Sequence, residues 1–192
     1  MSGTITLPAL IRDARDLAQT LLESNPERWR HTAGVARRAE TAAVTLTEPG
    51  DVETLIAAAW LHDIGYAAPL RRTGFHPLDG ARYLDRLGWP PRLVALVAHH
   101  SDARSVARLQ GLSAELSAYP REESPVADAL TYADQTVGPN GRSMTVAERF
   151  ADMLHRHGPY SANALAHPVR EPTLRAAVDR VQRRLRAAQT TR

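Results

Sequence analysis

An all-α fold, a single-domain helical bundle, is predicted for this chain on three grounds. No stretch alternates apolar and polar residues with period two, so a sheet has no support. The hydrophobic fraction is 43% with only 5% aromatic residues, and Ala, Leu, Val and Arg are abundant, a composition suited to packed helices. At 192 residues the chain can bury a sizeable core. One domain over residues 1–192 is expected, with its core at about 26–137 and helical extensions at 1–25 and 144–192.

Residues 7–23 read as a first amphipathic helix, and Asn25-Pro26 caps a second. That second helix, over 26–46, carries His31, Val35, Ala39, Ala42 and Leu46 on one face. Asp51 begins a third, in which Leu55, Ala59 and His62 share a stripe and Asp63 lies on the adjoining face with Val52, Ile56 and Ala59; Gly65 helps to end it. A further helix begins at His76-Pro77 after a Gly-containing loop, and another is opened by Pro90-Pro91 and closed by His99 and His100. Residues 101–119 predict two short helices or one broken at Gly111, and 120–125 a polar connector. Ser124 is the expected cap of a helix starting at Pro125, on which Val126, Leu130 and Asp134 follow at steps of four. After a loop at 137–143, the last long helices are expected at 145–157 and 172–188.

His31, His62, Asp63 and Asp134 therefore all point inward with apolar neighbours. A buried carboxylate without a partner is costly, so Asp63 and Asp134 each require a cation or strong donors. Imidazole and carboxylate together suit Zn, Mn, Fe, Ni and Co, and a centre with open positions lowers the pKa of bound water from 15.7 towards about 7, generating hydroxide. His76 extends the set. Of the adjacent pair, His100 continues Leu93, Leu96 and Val97, whereas His99 lies with Arg92 and Ala95; His100 is the expected ligand and His99 a supporting or substrate contact. If His76 and His100 both ligate, two metals are bridged by Asp63. Arg28, one turn before His31, and Arg71 and Arg72, in the loop between two of these residues, are the candidate substrate contacts, because guanidinium matches an oxyanion in two-pronged geometry.

The sequence resembles the HD superfamily of metal-dependent phosphohydrolases. The likeness runs from about Arg28 to Asp134: Arg28-Trp29-Arg30-His31, Ala59-Trp60-Leu61-His62-Asp63-Ile64-Gly65, His76-Pro77 with Gly80-Ala81, Val97-Ala98-His99-His100-Ser101, and Tyr132-Ala133-Asp134. The extra histidines look like the subset with a dinuclear centre, in which a His followed by Ser or Thr is common. Gly65-Tyr66 is not followed by the Gly-Tyr-Pro signature of the cyclic-dinucleotide members. The resemblance implies one or two divalent transition-metal ions, iron or manganese first, with zinc, nickel, cobalt or magnesium as alternatives. It also implies cleavage of a phosphate ester or anhydride in a nucleotide or other small phosphorylated molecule, with Asp63 and His76 as the candidate catalytic residues. Two other readings stand beside it: a mixed-valent diiron oxygenase of HD type, with the same six ligands, and a non-catalytic regulatory or nucleic-acid-binding module.

Composition narrows the partners. The pI of about 9.8 looks like that of a nucleic-acid binder, yet 24 Lys plus Arg against 21 Asp plus Glu leave only +3, and all 24 are arginine. The one basic run, residues 175–192 with Arg180, Arg183, Arg184 and Arg186, reads as a solvated helix face. No cysteine is present, so disulfides, thiolate ligands and a cysteine nucleophile are excluded. Residues 1–13 lack a basic segment followed by an apolar core, and the longest apolar run, residues 55–61, is far short of the roughly 20 residues that span a bilayer. A cytoplasmic protein without membrane contact is expected, with a homodimer left open. His155 and His157 read as last-turn residues favoured by the helix dipole, and His167 has no visible partner.

Overall fold

A computed structural model describes residues 8–190. Ten α-helices follow one another among them: α1 (Ala9–Leu22), α2 (Pro26–Ala42), α3 (Pro49–Leu61), α4 (His76–Arg86), α5 (Pro91–His99), α6 (Ala103–Leu109), α7 (Ser113–Leu116), α8 (Pro125–Gln135), α9 (Val146–His157) and α10 (Ala162–Thr190). Single 3-10 turns occupy Ala43–Thr45, Ile64–Tyr66, Ala68–Leu70 and His100–Asp102. No strand occurs among the described residues; one isolated bridge joins Val137 and Ser143 across the loop after α8. The protein is thus the all-α bundle that the sequence predicts. None of its described helices is long and apolar enough to cross a membrane.

α3 lies at the centre because its sequence leaves it no polar side to offer. Residues 55–61 are all buried, and a helix that is apolar all round needs neighbours on every side. Those neighbours are α1, α2, α5 and α8. Ala57, Ala58 and Ala59 keep the surface of α3 low, so the surrounding helices pack close to its axis. The helices that bring the other inward-facing polar residues are started by strong local signals. The Asn25 side chain accepts from the Arg28 amide ahead of Pro26, and the Ser124 hydroxyl accepts from the Ala127 amide ahead of Pro125. Such caps contribute about 1 kcal/mol each. α9 begins with a full capping box between Thr145 and Glu148.

Two elements differ from expectation. The first helix is described from Ala9, and the expected start at Leu7 lies outside the described residues, as does Arg192 at the end of the basic run. The last helix begins at Ala162 rather than Pro172 and runs through both Pro168 and Pro172. Each proline removes a backbone hydrogen bond and would ordinarily break the helix. Here Ala166, Arg170, Leu174 and Ala177 are buried, and packing against α6, α8 and α9 holds the segment helical. The basic run is also less solvated than its composition implies. Arg180 donates to both oxygens of Asp128, at 2.9 and 2.5 Å, and Arg184 adds a bond of 3.1 Å, tying α10 to α8.

Two glycines permit close approaches that set the layout of the core. A Cβ on Gly65 would lie 2.0 Å from the His76 carbonyl oxygen and 2.8 Å from the Gly80 nitrogen, so the turn after α3 rests directly on the start of α4. A Cβ on Gly34 would lie 2.7 Å from Gly141, which seats the loop after α8 on α2. Gly65→Ala is therefore expected to cost about 1–3 kcal/mol by overpacking, roughly 2–4 °C in Tm per kcal/mol for a chain of this size. Gly50→Ala, with nothing within 4 Å of the new Cβ, should leave the melt unchanged or slightly raised. Equal melting of the two variants would contradict the packing described.

Candidate metal centre

The ends of the helices converge on one buried cluster. His31 comes from the second turn of α2, His62 and Asp63 from the C-terminal end of α3, and His76 from the first residue of α4. His100 follows α5 directly, and Asp134 lies in the last turn of α8. All are buried except His76, which is partly exposed.

Asp63 stands at the middle, with a different set of groups on each oxygen. Its Oδ2 lies 3.3 Å from His62 Nε2, 3.6 Å from His31 Nε2 and 2.7 Å from Arg28 Nη1. Its Oδ1 lies 3.1 Å from His76 Nε2 and 3.9 Å from His100 Nε2. The two Nε2 atoms of His76 and His100 are themselves 3.2 Å apart. Asp134 Oδ1 lies 3.1 Å from His31 Nε2 and 3.9 Å from His62 Nε2. Two donor groups result, His31 with His62 and Asp63, and Asp63 with His76 and His100. Asp63 is common to both.

The backbone decides which ring nitrogens are free. His62 Nδ1 bonds the Ala59 carbonyl at 2.8 Å, His100 Nδ1 the Val97 carbonyl at 2.7 Å, and His31 Nδ1 the Gly138 carbonyl at 3.1 Å. A carbonyl can only accept, so each Nδ1 carries the proton, and in the neutral ring each Nε2 presents a lone pair. Those lone pairs converge on carboxylate oxygens, which also can only accept. His62 Nε2 is buried with no hydrogen-bond partner although Asp63 Oδ2 is 3.3 Å away. A cation between the rings and the carboxylates removes the conflict, and the donor set of imidazole nitrogen and carboxylate oxygen fits a divalent transition metal.

Protonation follows the same logic. Burial, which disfavours the imidazolium, lowers the pKa of His31 and His76, and brings His100 down to about 3. Burial alone would push Asp63 up, but His62 and Arg28 hold it well below the usual carboxylate range; the His31 contact and Arg149 do the same for Asp134. For His62, burial opposes the charge and Asp63 outweighs it, raising the pKa. A metal at this point replaces the proton that Asp63 draws onto the ring. Asp134 is further oriented through its other oxygen, Oδ2, which accepts from Ser101 Oγ at 2.5 Å and Gln135 Nε2 at 2.7 Å. Ser101 reaches it from a left-handed backbone conformation, φ 51° and ψ 43°. Such a conformation is uncommon for serine and is sustained only where surrounding contacts over-determine it.

Against known families, the chain matches the HD domain over residues 28–137. The chain belongs to the HD domain family. No curated protein and no solved structure matches it. The HD domain match takes in all six cluster residues and Arg28, and stops before α9 and α10.

Those two helices nevertheless cover the centre of this HD protein. A cavity of about 70 Å³ adjoins the cluster and is lined also by Arg149, Arg156 and His157 of α9 and by His167 and Arg170 of α10. None of these five was singled out as a site residue from sequence. His157 is not merely a last-turn residue, and His167 has a partner in Glu171 at 3.1 Å. His155 is exposed and outside the cluster. Of the expected substrate contacts, Arg28 is at the centre. Arg71 and Arg72 are exposed and do not line the cavity: Arg71 Nε bonds the Tyr66 carbonyl, and the Arg72 amide bonds Asp79. His99 turns away, its Nε2 donating to the Tyr119 carbonyl at 2.8 Å. Its direction differs from that of His100 because the helix rotates about 100° per residue.

His62→Ala and Asp63→Ala should lose bound metal, as read by elemental analysis, and should lose the upward shift in Tm on metal addition, worth about 2.7 kcal/mol at one hundred times Kd. His155→Ala should keep both. Full metal content in Asp63→Ala would contradict the assignment.

Proposed function

We propose that this HD protein is a metal-dependent phosphohydrolase that cleaves a phosphate ester or anhydride of a nucleotide or other small phosphorylated molecule. In this reading it uses a centre of two divalent transition-metal ions, iron or manganese first. The observation that carries the reading is the placement of Asp63, whose two oxygens face separate groups of imidazole Nε2 atoms. His31, His62 and Asp134 would hold one ion, His76 and His100 the other, and Asp63 both. Bound there, the ions supply Lewis acidity, which lowers the pKa of water and neutralises phosphate oxygens.

The remaining residues orient and exclude. Arg28 donates to Asp63 Oδ2 at 2.7 Å, and its guanidinium lies over the Tyr66 ring, 4.1 Å from the centroid. Tyr66 in turn stacks on the His76 ring at 4.0 Å. This layered contact fixes His76 opposite Asp63 Oδ1 and leaves further guanidinium N–H groups of Arg28 for a phosphate oxygen. Burial pushes the Tyr66 hydroxyl up to about 12, so it stays protonated at neutral pH and acts as an apolar plate with a neutral donor.

The test is turnover. Chelator-treated protein should release no phosphate from a panel of nucleotides and small phosphate esters, and manganese or cobalt should restore release equally well without oxygen. His76→Ala should lower kcat by orders of magnitude, because it removes one side of the Asp63 bridge. Substrate consumption that requires iron and dioxygen, with no phosphate released under anaerobic manganese, would contradict the hydrolase and favour the diiron oxygenase.

A further inference from the structure

Arg149 and Arg170 lie outside the HD match, yet both line the cavity beside the cluster. Each is only 9% exposed, and the Nε atom of each is buried without a hydrogen-bond partner. Arg170 donates from Nη1 to the Asn163 side-chain oxygen at 3.1 Å and from Nη2 to the Ser101 carbonyl at 2.6 Å, both neutral acceptors. Among the described residues it forms no ion pair, and Asp102 and Asp134 act on its charge only from a distance. Arg149 has only long contacts, 3.5 Å to Asp152 and 3.7 Å to Asp134 Oδ1, and Asp134 is the carboxylate committed to the metal centre. Two guanidinium groups buried with an unpartnered Nε each, one outside any ion pair and the other held only by long ones, favour an added anion.

Size and charge define that anion. The cavity of about 70 Å³ is several times the roughly 10–15 Å³ that one water needs on the same measure. That is room for a tetrahedral oxyanion beside the two guanidinium groups. We infer that Arg149 and Arg170 form an anion clamp for a terminal phosphoryl group, so that the substrate is a phosphomonoester or the end of a phosphoanhydride chain rather than an internal diester. The assignment of the clamp to a reacting group rests on the phosphohydrolase reading. A terminal group would enter with its bridging oxygen towards the rim, where Arg156 and His157 are exposed. A terminal phosphoryl group brings up to two negative charges to the two guanidinium groups, whereas an internal diester brings one. Burial, which lowers the pKa of Arg170, accords with a site that becomes comfortable only once an anion is present.

The experiment is calorimetric titration of the protein as purified with inorganic phosphate and, separately, with dimethyl phosphate, with metal content measured on the same samples. Phosphate should bind and dimethyl phosphate should bind at least tenfold more weakly. Arg170→Gln and Arg149→Gln should each weaken phosphate by about tenfold to a hundredfold, the range for one charge-assisted hydrogen bond, with metal content unchanged in Arg170→Gln. Arg71→Gln should have no effect. Arg170→Lys, which keeps the charge, serves if the glutamine variant does not fold, and should bind phosphate more weakly than the parent because it loses the two-pronged geometry. No phosphate binding by the parent, wild-type affinity in both arginine variants, or equal binding of the diester would each overturn the inference. Phosphate binding through Arg149 and Arg170 in protein that takes up no added metal would contradict the metal centre and leave the clamp standing.

Discussion

The donation of Nδ1–H from His31, His62 and His100 to the Gly138, Ala59 and Val97 carbonyls is the constraint on which the centre depends. It fixes the tautomer and the ring orientation together, and it turns three Nε2 lone pairs towards Asp63 and Asp134. Without that tether each ring could rotate or shift its proton and make an ordinary hydrogen bond to a carboxylate. With it, acceptors face acceptors, and a cation is the partner that satisfies both. Two of the carbonyls exist for this purpose because of where the helices stop. Ala59 and Val97 lie in the last turns of α3 and α5, where carbonyl oxygens have no intrahelical donor. A histidine at the helix end, three residues on, supplies one.

The fold serves this arrangement by bringing helix ends rather than helix middles together. α3 is apolar on every side and becomes the axis of the bundle, so its C-terminal His62-Asp63 pair is placed in the interior whatever else packs around it. Gly65 then lets α4 begin against the turn that follows, which puts His76 on the far side of Asp63. Gly34 and Gly141 do the same for the loop that carries the Gly138 carbonyl to His31. Removing side chains at these points costs little in buried area and gains the short distances within the cluster.

The cluster was legible in the sequence because ligand chemistry and helical period agree there. His31, His62 and Asp134 fall on the apolar stripes of three separately capped helices, and the stripe of α5 distinguishes His100 from His99. The contacts beyond the cluster were not legible in the same way. Arg71 and Arg72 are near His76 along the chain, but a loop has no fixed period, and the structure aims them outward. Arg149 and Arg170 are far from the ligands in sequence, and their direction depends on how α9 and α10 cross the core. The course of α10 was hidden by Pro168 and Pro172, since the local rule that proline ends a helix is overridden by packing on α6, α8 and α9. Spacing within an element survives translation into structure, whereas spacing between elements does not.

X-ray absorption at the metal edge of zinc-loaded protein tests the central claim most directly. The account predicts imidazole scattering with nitrogen at about 2.0–2.1 Å, and a second metal at roughly 3.5–4 Å when two ions share Asp63. A spectrum of oxygen ligands alone, without the outer-shell pattern of an imidazole ring, would contradict it.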